Sequence, residues 1–437
     1  MVTKKTIKNN ISVLLALLVF APLSVQAVSI EDELKTMLKG HPKLKSAQSF
    51  GQSAAWDIER ATDNYFPVFS INGESGPDKY TSDTTTFGQE RKLDHTKVTY
   101  ELRQNLFRGF RDEAAVSASR AEKKIADFLE DKITQDLILQ GVSVYIDGLR
   151  VKQLDEIIDK KVGVANQLLG IRKRAKDSGA GTDVDVLEAS LAMQKAYDER
   201  LVSEAERRAV EIRYAQLFNG NSLPEVMESV SLPAALQHKT VEQALQVALK
   251  NNPELAVARM RMEVARNEKK NSAGDYYPTL DLVGRRDYDR NLEGSEGKSL
   301  QKSVLLEMSW SFNLANQTGA AVSSAAEKIS AAQFEYDSIL KDVEQSVRLA
   351  HERYKNLSDR KALANQTLEI ASNVLDSRIA QRKAGKVDQT LVIGAQARLL
   401  SAKHAAITTR FETLKSGFEL AFATGVLTPA KLGISIK

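Results

Sequence analysis

The chain has 437 residues, a formal net charge of +4, no cysteine, 6% aromatic residues and 27% charged residues. That length allows two or three domains, and abundant alanine with few aromatics suits long, narrow helical contacts better than one thick core. The lack of cysteine excludes disulfides, thiolate metal sites, cysteine nucleophiles and amino-terminal lipid attachment through cysteine, and the weak charge points to no nucleic-acid partner.

The first 27 residues predict a cleaved signal peptide. Lys4, Lys5 and Lys8 precede an almost wholly apolar stretch at 11–20, and Val25-Gln26-Ala27 offers small residues for cleavage. Without those three lysines the net charge falls to about +1. The apolar stretch is too short for a permanent span, and no later stretch is long and apolar enough to be a transmembrane helix. The protein is therefore expected to be exported.

The remainder of the chain is a duplication. Ile30-Glu31 and His41-Pro42-Lys43-Leu44 return as Val241-Glu242 and Asn252-Pro253-Glu254-Leu255, 211 residues later. Asn64-Tyr65-Phe66-Pro67 returns as Asp275-Tyr276-Tyr277-Pro278, and Gly73 as Gly284, at the same offset. From Glu101 and Glu307 onward the offset is 206, which pairs Gly179 with Gly385. Residues 28–225 form a first repeat, 226–240 a linker and 241–437 a second repeat.

Each repeat opens with a short helix that stops before a proline and a medium helix that begins on it. Phe66-Pro67 and Tyr277-Pro278 then end the helix and strands begin. Strands are predicted over about 67–76 and 96–107, and again over about 278–288 and 302–313. Val98, Tyr100, Leu102 and Leu106 alternate with polar residues, as do Val304, Leu306, Met308, Trp310 and Phe312. Period two with one apolar face fits a hairpin packed on helices in a soluble protein. It also fits a membrane barrel, with Val98, Tyr100, Leu102, Val304, Leu306, Met308, Trp310 and Phe312 facing lipid and polar loops at 76–94 and 291–298. Four strands cannot close, since closure needs about eight, so such a barrel would be shared between chains.

Long helices are predicted over about 112–178 and 319–384, each followed by a return helix, about 183–218 and 387–424. Val151, Leu154, Ile158, Val162, Ala165 and Leu169 recur at helical spacing, and so do Leu340, Val343, Val347, Ala350, Tyr354 and Leu357. Leu187, Leu191, Tyr197 and Leu201 stripe the first return helix, and Leu391, Leu399 and Ala402 the second. At 1.5 Å per residue the first rod is roughly 100 Å long, and its return helix cannot cover it. Lateral packing against other copies is expected.

No catalytic, cofactor or metal site is predicted. His41, His95, His238, His351 and His404 are scattered, and there is no GxSxG elbow. Gly297-Lys298-Ser299 resembles the end of a phosphate loop, but Leu292 stands where its first glycine belongs. One acidic group remains, in Thr182-Asp183-Val184-Asp185-Val186-Leu187-Glu188. Capping by Thr182 or Asp183 and the helix dipole account for acids in the first turn, but Glu188 lies beyond it. Asp185 and Glu188 share one helix face. Around a threefold axis they would become a ring of carboxylates at a constriction, which attracts cations.

The duplicated Pro-Lys-Leu and Pro-Glu-Leu segments, Tyr-Phe-Pro and Tyr-Tyr-Pro before strands, and the pattern Gly179-x-Gly-Thr-x-x-Asp-Val-Leu-Glu-Ala resemble the TolC family of outer-membrane efflux and secretion ducts. The resemblance covers nearly the whole mature chain. It implies a mainly α fold with a small β part, and a homotrimer whose chains share a twelve-stranded transmembrane barrel and a coiled-coil helical barrel. It implies Asp185 and Glu188 at a periplasmic gate, and adaptor-docking tips at Gly179, Gly181 and Thr182 and at Gly385 and Asp388. In the family an Asp-Val-Leu-Asp-like signature sits in the second repeat, where this chain reads Leu391-Val392-Ile393-Gly394. The implied partners are outer-membrane lipid, a periplasmic adaptor and an inner-membrane ABC transporter, with a proton-driven pump as the second choice. The missing lipidation cysteine favours type I secretion of a large adhesin or toxin over multidrug or solute efflux. A soluble periplasmic coiled-coil scaffold or adaptor is the alternative of a different class.

Overall fold

The computed structural model describes residues 27–84, 86–237, 240–312 and 314–435. Apart from Ala27, the expected signal peptide lies outside the described residues, as does His238.

Two short helices open the first repeat, α1 (Ile30–Gly40) and α2 (Pro42–Thr62). His41 closes one and caps the other, accepting from the Lys43 N–H, while Pro42 fits the first turn, where no N–H is needed. Strands β1 (Val68–Tyr80) and β2 (Arg91–Arg108) lead into α3 (Arg111–Asp177) and its return helix α4 (Asp183–Leu217). The second repeat copies this order in α5 (Val241–Asn251), α6 (Pro253–Ala273), β3 (Thr279–Arg290), β4 (Lys298–Ser309), α7 (Gln317–Lys383) and α8 (Gln389–Ala423). The long helices α3 and α7 have 67 residues each, and the return helices α4 and α8 have 35 each.

The strands form one antiparallel sheet in the order β1-β2-β3-β4. β1 and β2 run beyond the strand ends expected at Gly76 and Thr96, which shortens the loop between them to residues 81–90. At this end both faces carry charged residues, so the alternation that marks a strand is lost from the sequence. A bulge between Asn105 and Phe107 also interrupts the β2–β3 register at Leu106. Trp310 and Phe312 lie past the end of β4, not within it.

The helices form a wall. α3 packs on α2 and α4 along one side and on α6 and α8 along the other, and α7 packs on α6 and α8. The wall is thus four helices wide, ordered α2/α4, α3, α6/α8, α7. Where β2 enters α3, Gly109 passes against Gly274, so closely that a Cβ on Gly109 would stand 2.4 Å from the Gly274 carbonyl oxygen.

Half-way down the wall, α1 and α5 lie on α3 and α7. Leu34, Met37 and Leu38 pack there with Ile138, Val142, Tyr145, Tyr214 and Phe418, and these form the largest core. Tyr145 is fully buried, and its hydroxyl donates to the Val28 carbonyl at 2.6 Å, with the Glu228 carbonyl at 3.1 Å. Burial pushes its phenol up to about 12, so it remains a donor. Those two carbonyls flank the bridge between Val28 and Met227 that ties the chain start to the linker. Tyr145→Phe leaves the Glu228 carbonyl without this donor, while the Val28 carbonyl keeps the Glu228 N–H at 3.1 Å. It should cost about 1–3 kcal/mol, read from the denaturant midpoint, with earlier proteolysis near Met227.

Candidate functional site

Three places carry the functional geometry: the hairpin tips, the outer edges of the wall, and the two faces of the sheet.

At the first tip, α3 ends at Asp177 and the chain turns through Gly179 at φ +75. Glycine reaches that left-handed backbone without a Cβ clash. Thr182 caps α4: its hydroxyl accepts from the Asp185 N–H at 3.2 Å, and the Asp185 carboxylate accepts from the Thr182 N–H at 3.0 Å. The other Asp185 oxygen meets Arg172 at 3.2 Å, and Lys176 pairs with Asp183. Hydrogen bonds from Thr182, with a smaller contribution from Arg172, hold the Asp185 carboxyl below its ordinary range. The two acids expected to act as a pair therefore differ. Asp185 is bound into its own hairpin, while Glu188 is exposed and makes no ion pair among the described residues.

The second tip has the same form. It turns at Gly385, φ +71, and Asp388 caps α8 by accepting from the Leu391 N–H at 3.1 Å. Its charges differ, because Arg382, Lys383 and Lys386 make no ion pair among the described residues.

The edges differ from the interior along every turn. α4 has one seam on α3, with Ala189, Ala196, Ser203, Val210 and Leu217 buried every seventh residue. The stripe expected to pack there, Leu187, Leu191, Tyr197 and Leu201, is exposed instead. α8 sits between α3 and α7 and also buries Val392, Leu399, Ala406 and Thr413 on one flank and Ile393 and Leu400 on another. Repeat-related positions make the contrast quantitative. Ile393 is 1% exposed, in one buried cluster with Ile157 and Val164 of α3, whereas its repeat mate Leu187 is 68% exposed. The mates of Ile157 and Val164 are Leu363 and Ile370 on α7, at 64% and 63%.

The sheet is open in the same way, since β1 and β4 each have one unpaired edge. Its register puts Val98, Tyr100, Leu102, Val304, Leu306 and Met308 on one face, with Phe69, Ile71 and Leu282. The opposite face carries an ionic ladder. Arg103 donates to Glu101 at 3.1 Å, Asp281 at 3.0 Å and Glu307 at 2.9 Å, and Arg285 reaches Glu101 at 2.7 Å. Asn105 donates to Asp281, and Thr99 to Asp287. At the helix end of the sheet, Phe107, Phe110 and Tyr277 meet edge to face, with Trp310 and Phe312 exposed nearby in the chain.

Among the described residues no group of side chains could hold a metal ion, and no helix is long and apolar enough to cross a membrane.

The Asp185 contacts have a measurable consequence. Because its folded carboxyl lies below the ordinary value, its support is complete above the normal carboxylate range and is lost as pH falls through the lowered value. Asp185→Ala should lower the amide-exchange protection factors of residues 183–187 at neutral pH, and acid should lower them in the unmodified chain. Glu188→Gln should leave exchange there unchanged.

The outer membrane efflux protein family matches residues 34–220 and 244–426, the two repeats without the linker. The alkaline protease secretion protein AprF of Pseudomonas aeruginosa is 24% identical over 381 residues, covering 84% of this chain and 77% of AprF. The proteases secretion protein PrtF of Dickeya chrysanthemi is 21% identical over 272 residues, 60% of this chain and 58% of PrtF. Among solved structures, the outer membrane protein VceC of Vibrio cholerae superposes with a TM-score of 0.75 at 15% identity, covering 91% of this chain and 96% of VceC. The TolC-like fold with its four-stranded sheet, the two matched repeats and these relatives agree: the chain belongs to the outer membrane efflux protein family.

Proposed function

We propose that three copies of this chain close into one continuous duct across the outer membrane and periplasm, and that the duct is the exit of a type I protein secretion system. The observation that carries closure is the repeat relation between the buried α3–α8 contact and the exposed edges. Ile157, Ile393 and Ile407 belong to one cluster inside the chain, and their mates Leu363, Leu187 and Leu201 lie on the two open edges. A neighbouring copy that set its α4 on this α7 would bury them as their mates are buried. The sheet obeys the same relation. Leu102 faces Gly284 across β2–β3, so Met308 of one chain would face Gly73 of the next across β4–β1.

Two copies would supply eight strands, whose interior side chains fill. The charged ladder around Arg103 needs a wider, wet interior, which twelve strands from three copies provide. The apolar face, with Val98, Tyr100, Leu102, Val304, Leu306 and Met308, then meets lipid. Trp310 and Phe312 join the aromatic girdle expected at the periplasmic boundary. Residues 1–27 direct export to this location.

The tips at Gly179, Gly181 and Thr182 and at Gly385 and Asp388 dock a periplasmic adaptor bound to an inner-membrane transporter. Likeness to AprF and PrtF over most of the chain supports an ABC transporter of secreted protein as that motor. At the entrance, Asp185 and Glu188 form the carboxylate ring, with Glu188 supplying the free charge and Asp185 holding the helix start.

Three experiments check these assignments. Leu201→Cys with Leu363→Cys should give oxidised dimer and trimer bands in whole cells, while either single variant gives none. Purified channels in planar bilayers should prefer cations, with Glu188→Gln removing most of that preference and Asp185→Asn less. Unchanged reversal potentials in the double variant would remove the ring. Photo-crosslinking from Lys386 should capture the adaptor of an ABC transporter, and capture of a proton-driven pump's adaptor would favour efflux.

A further inference from the structure

The two faces of the sheet differ in charge as well as polarity. Carboxylates gather on the ladder face, at Glu74, Glu101, Asp281, Asp287, Asp289 and Glu307. On the apolar face the four strands carry one carboxylate, Asp94, at the distal end. Yet this face also carries cations. Arg286 and Lys302 stand directly opposite each other across β3–β4, both exposed and neither in an ion pair among the described residues. Like charges opposed across a sheet repel, and a lipid-facing surface makes each more costly. Such a pair calls for an anion.

The position of the pair restricts what that anion is. Lys302 lies eight residues from Trp310, roughly 26 Å along the strand and, at a tilt of about 40°, roughly 20 Å across the membrane. An apolar band about 25 Å tall puts both backbone positions within about 5 Å of its outer rim, and long cationic side chains span that distance to the headgroups. Just inside the band, a shallow groove of about 400 Å³ runs from Arg286 and Lys302 down past Phe69, Leu102 and Val304. Gly284 forms its floor. Its backbone does not require glycine, for a Cβ there would meet only the Leu102 carbonyl oxygen at 3.9 Å. A larger residue would fit, and would fill the groove.

We infer that this groove binds a phosphorylated lipid of the outer leaflet, with phosphate between Arg286 and Lys302 and an acyl chain over Gly284. The assignment rests on the proposed lipid contact of this face. It gains a third cation in the closed duct: continuing the Met308–Gly73 register sets Lys79 of the next copy opposite Lys302. Lys79 has only a long contact of 3.9 Å to Glu90 to give up. A lipid held there would bridge two copies. Its phosphate would offset the repulsion along the row, and its chain would cover apolar wall that a side chain leaves bare.

The test uses the full-length trimer in phosphatidylcholine vesicles containing a minor share of diphosphorylated lipid A, extracted mildly and weighed by native mass spectrometry. The unmodified trimer should retain lipid A over phosphatidylcholine. Arg286→Gln with Lys302→Gln should cut retention roughly tenfold, as loss of charge-assisted contacts implies. Gly284→Leu, which keeps the cations and fills the groove, should also cut it, and Arg286→Lys with Lys302→Arg should keep most of it. Displacement of the lipid by inorganic phosphate would mean that only the headgroup is held and would overturn the lipid assignment. A polarity-sensitive dye on Leu306→Cys, quenched by brominated acyl chains, separates the two readings. Full quenching with equal retention in all variants overturns the lipid site and leaves lipid contact standing; absence of quenching overturns both.

Discussion

Unfinished edges organise this chain. A four-stranded sheet leaves a row of unpaired N–H and C=O groups along β1 and another along β4, and neither can stay bare in hydrocarbon. The helical wall repeats the problem in apolar form, with α4 and α7 each exposing a stripe of leucine, isoleucine and valine. Sheet and wall end on the same two sides because every strand leads into or out of a helix of the wall. One operation, repeated around one axis, would answer both layers. The ionic ladder on the sheet, the hairpin tips and the belt of α1 and α5 would take their functional meaning from that closure.

Duplication makes the operation readable from a single copy. The two repeats have helices of equal length, yet their return helices meet different fates. α8 lies between two long helices and is buried on several flanks, whereas α4 has α3 on one side only. The contact that α8 makes with α3 is the pattern for the contact that α4 lacks. Ile393 and Leu187 occupy the same place in their repeats, and their burial differs because one has its neighbour in the chain. The unlike tips fit this view, since Asp183 and Asp185 pair with bases of one hairpin, and among the described residues no acid does so at Arg382 and Lys383 of the other.

Much of this was legible in the residues. The repeated Pro-Lys-Leu and Pro-Glu-Leu, the proline breaks before β1 and β3, the alternation in β2 and β4 and the glycine turns all mark elements by local rules, and local rules survive without a structure. The seam of α4 was not legible as a seam. Ala189, Ala196 and Ser203 are too small to stand out as an apolar stripe, while the conspicuous Leu187 and Leu191 lie exposed on the open edge of the wall. The distal ends of β1 and β2 were hidden because charged residues on both faces erase the period of two. Asp185 shows the opposite case, for Thr182-x-x-Asp185 is a capping box in the sequence itself. Its carboxylate, expected from the resemblance at a gate, is engaged in starting a helix.

Closure by three is the claim on which the lumen, the lipid-facing sheet and the docking ring all stand. Its most direct test is the mass of the detergent-purified particle, measured by native mass spectrometry before and after heating. A closed duct gives one species of three chains that falls to single chains on heating. A stable monomer, or a dimer of eight strands, would contradict it.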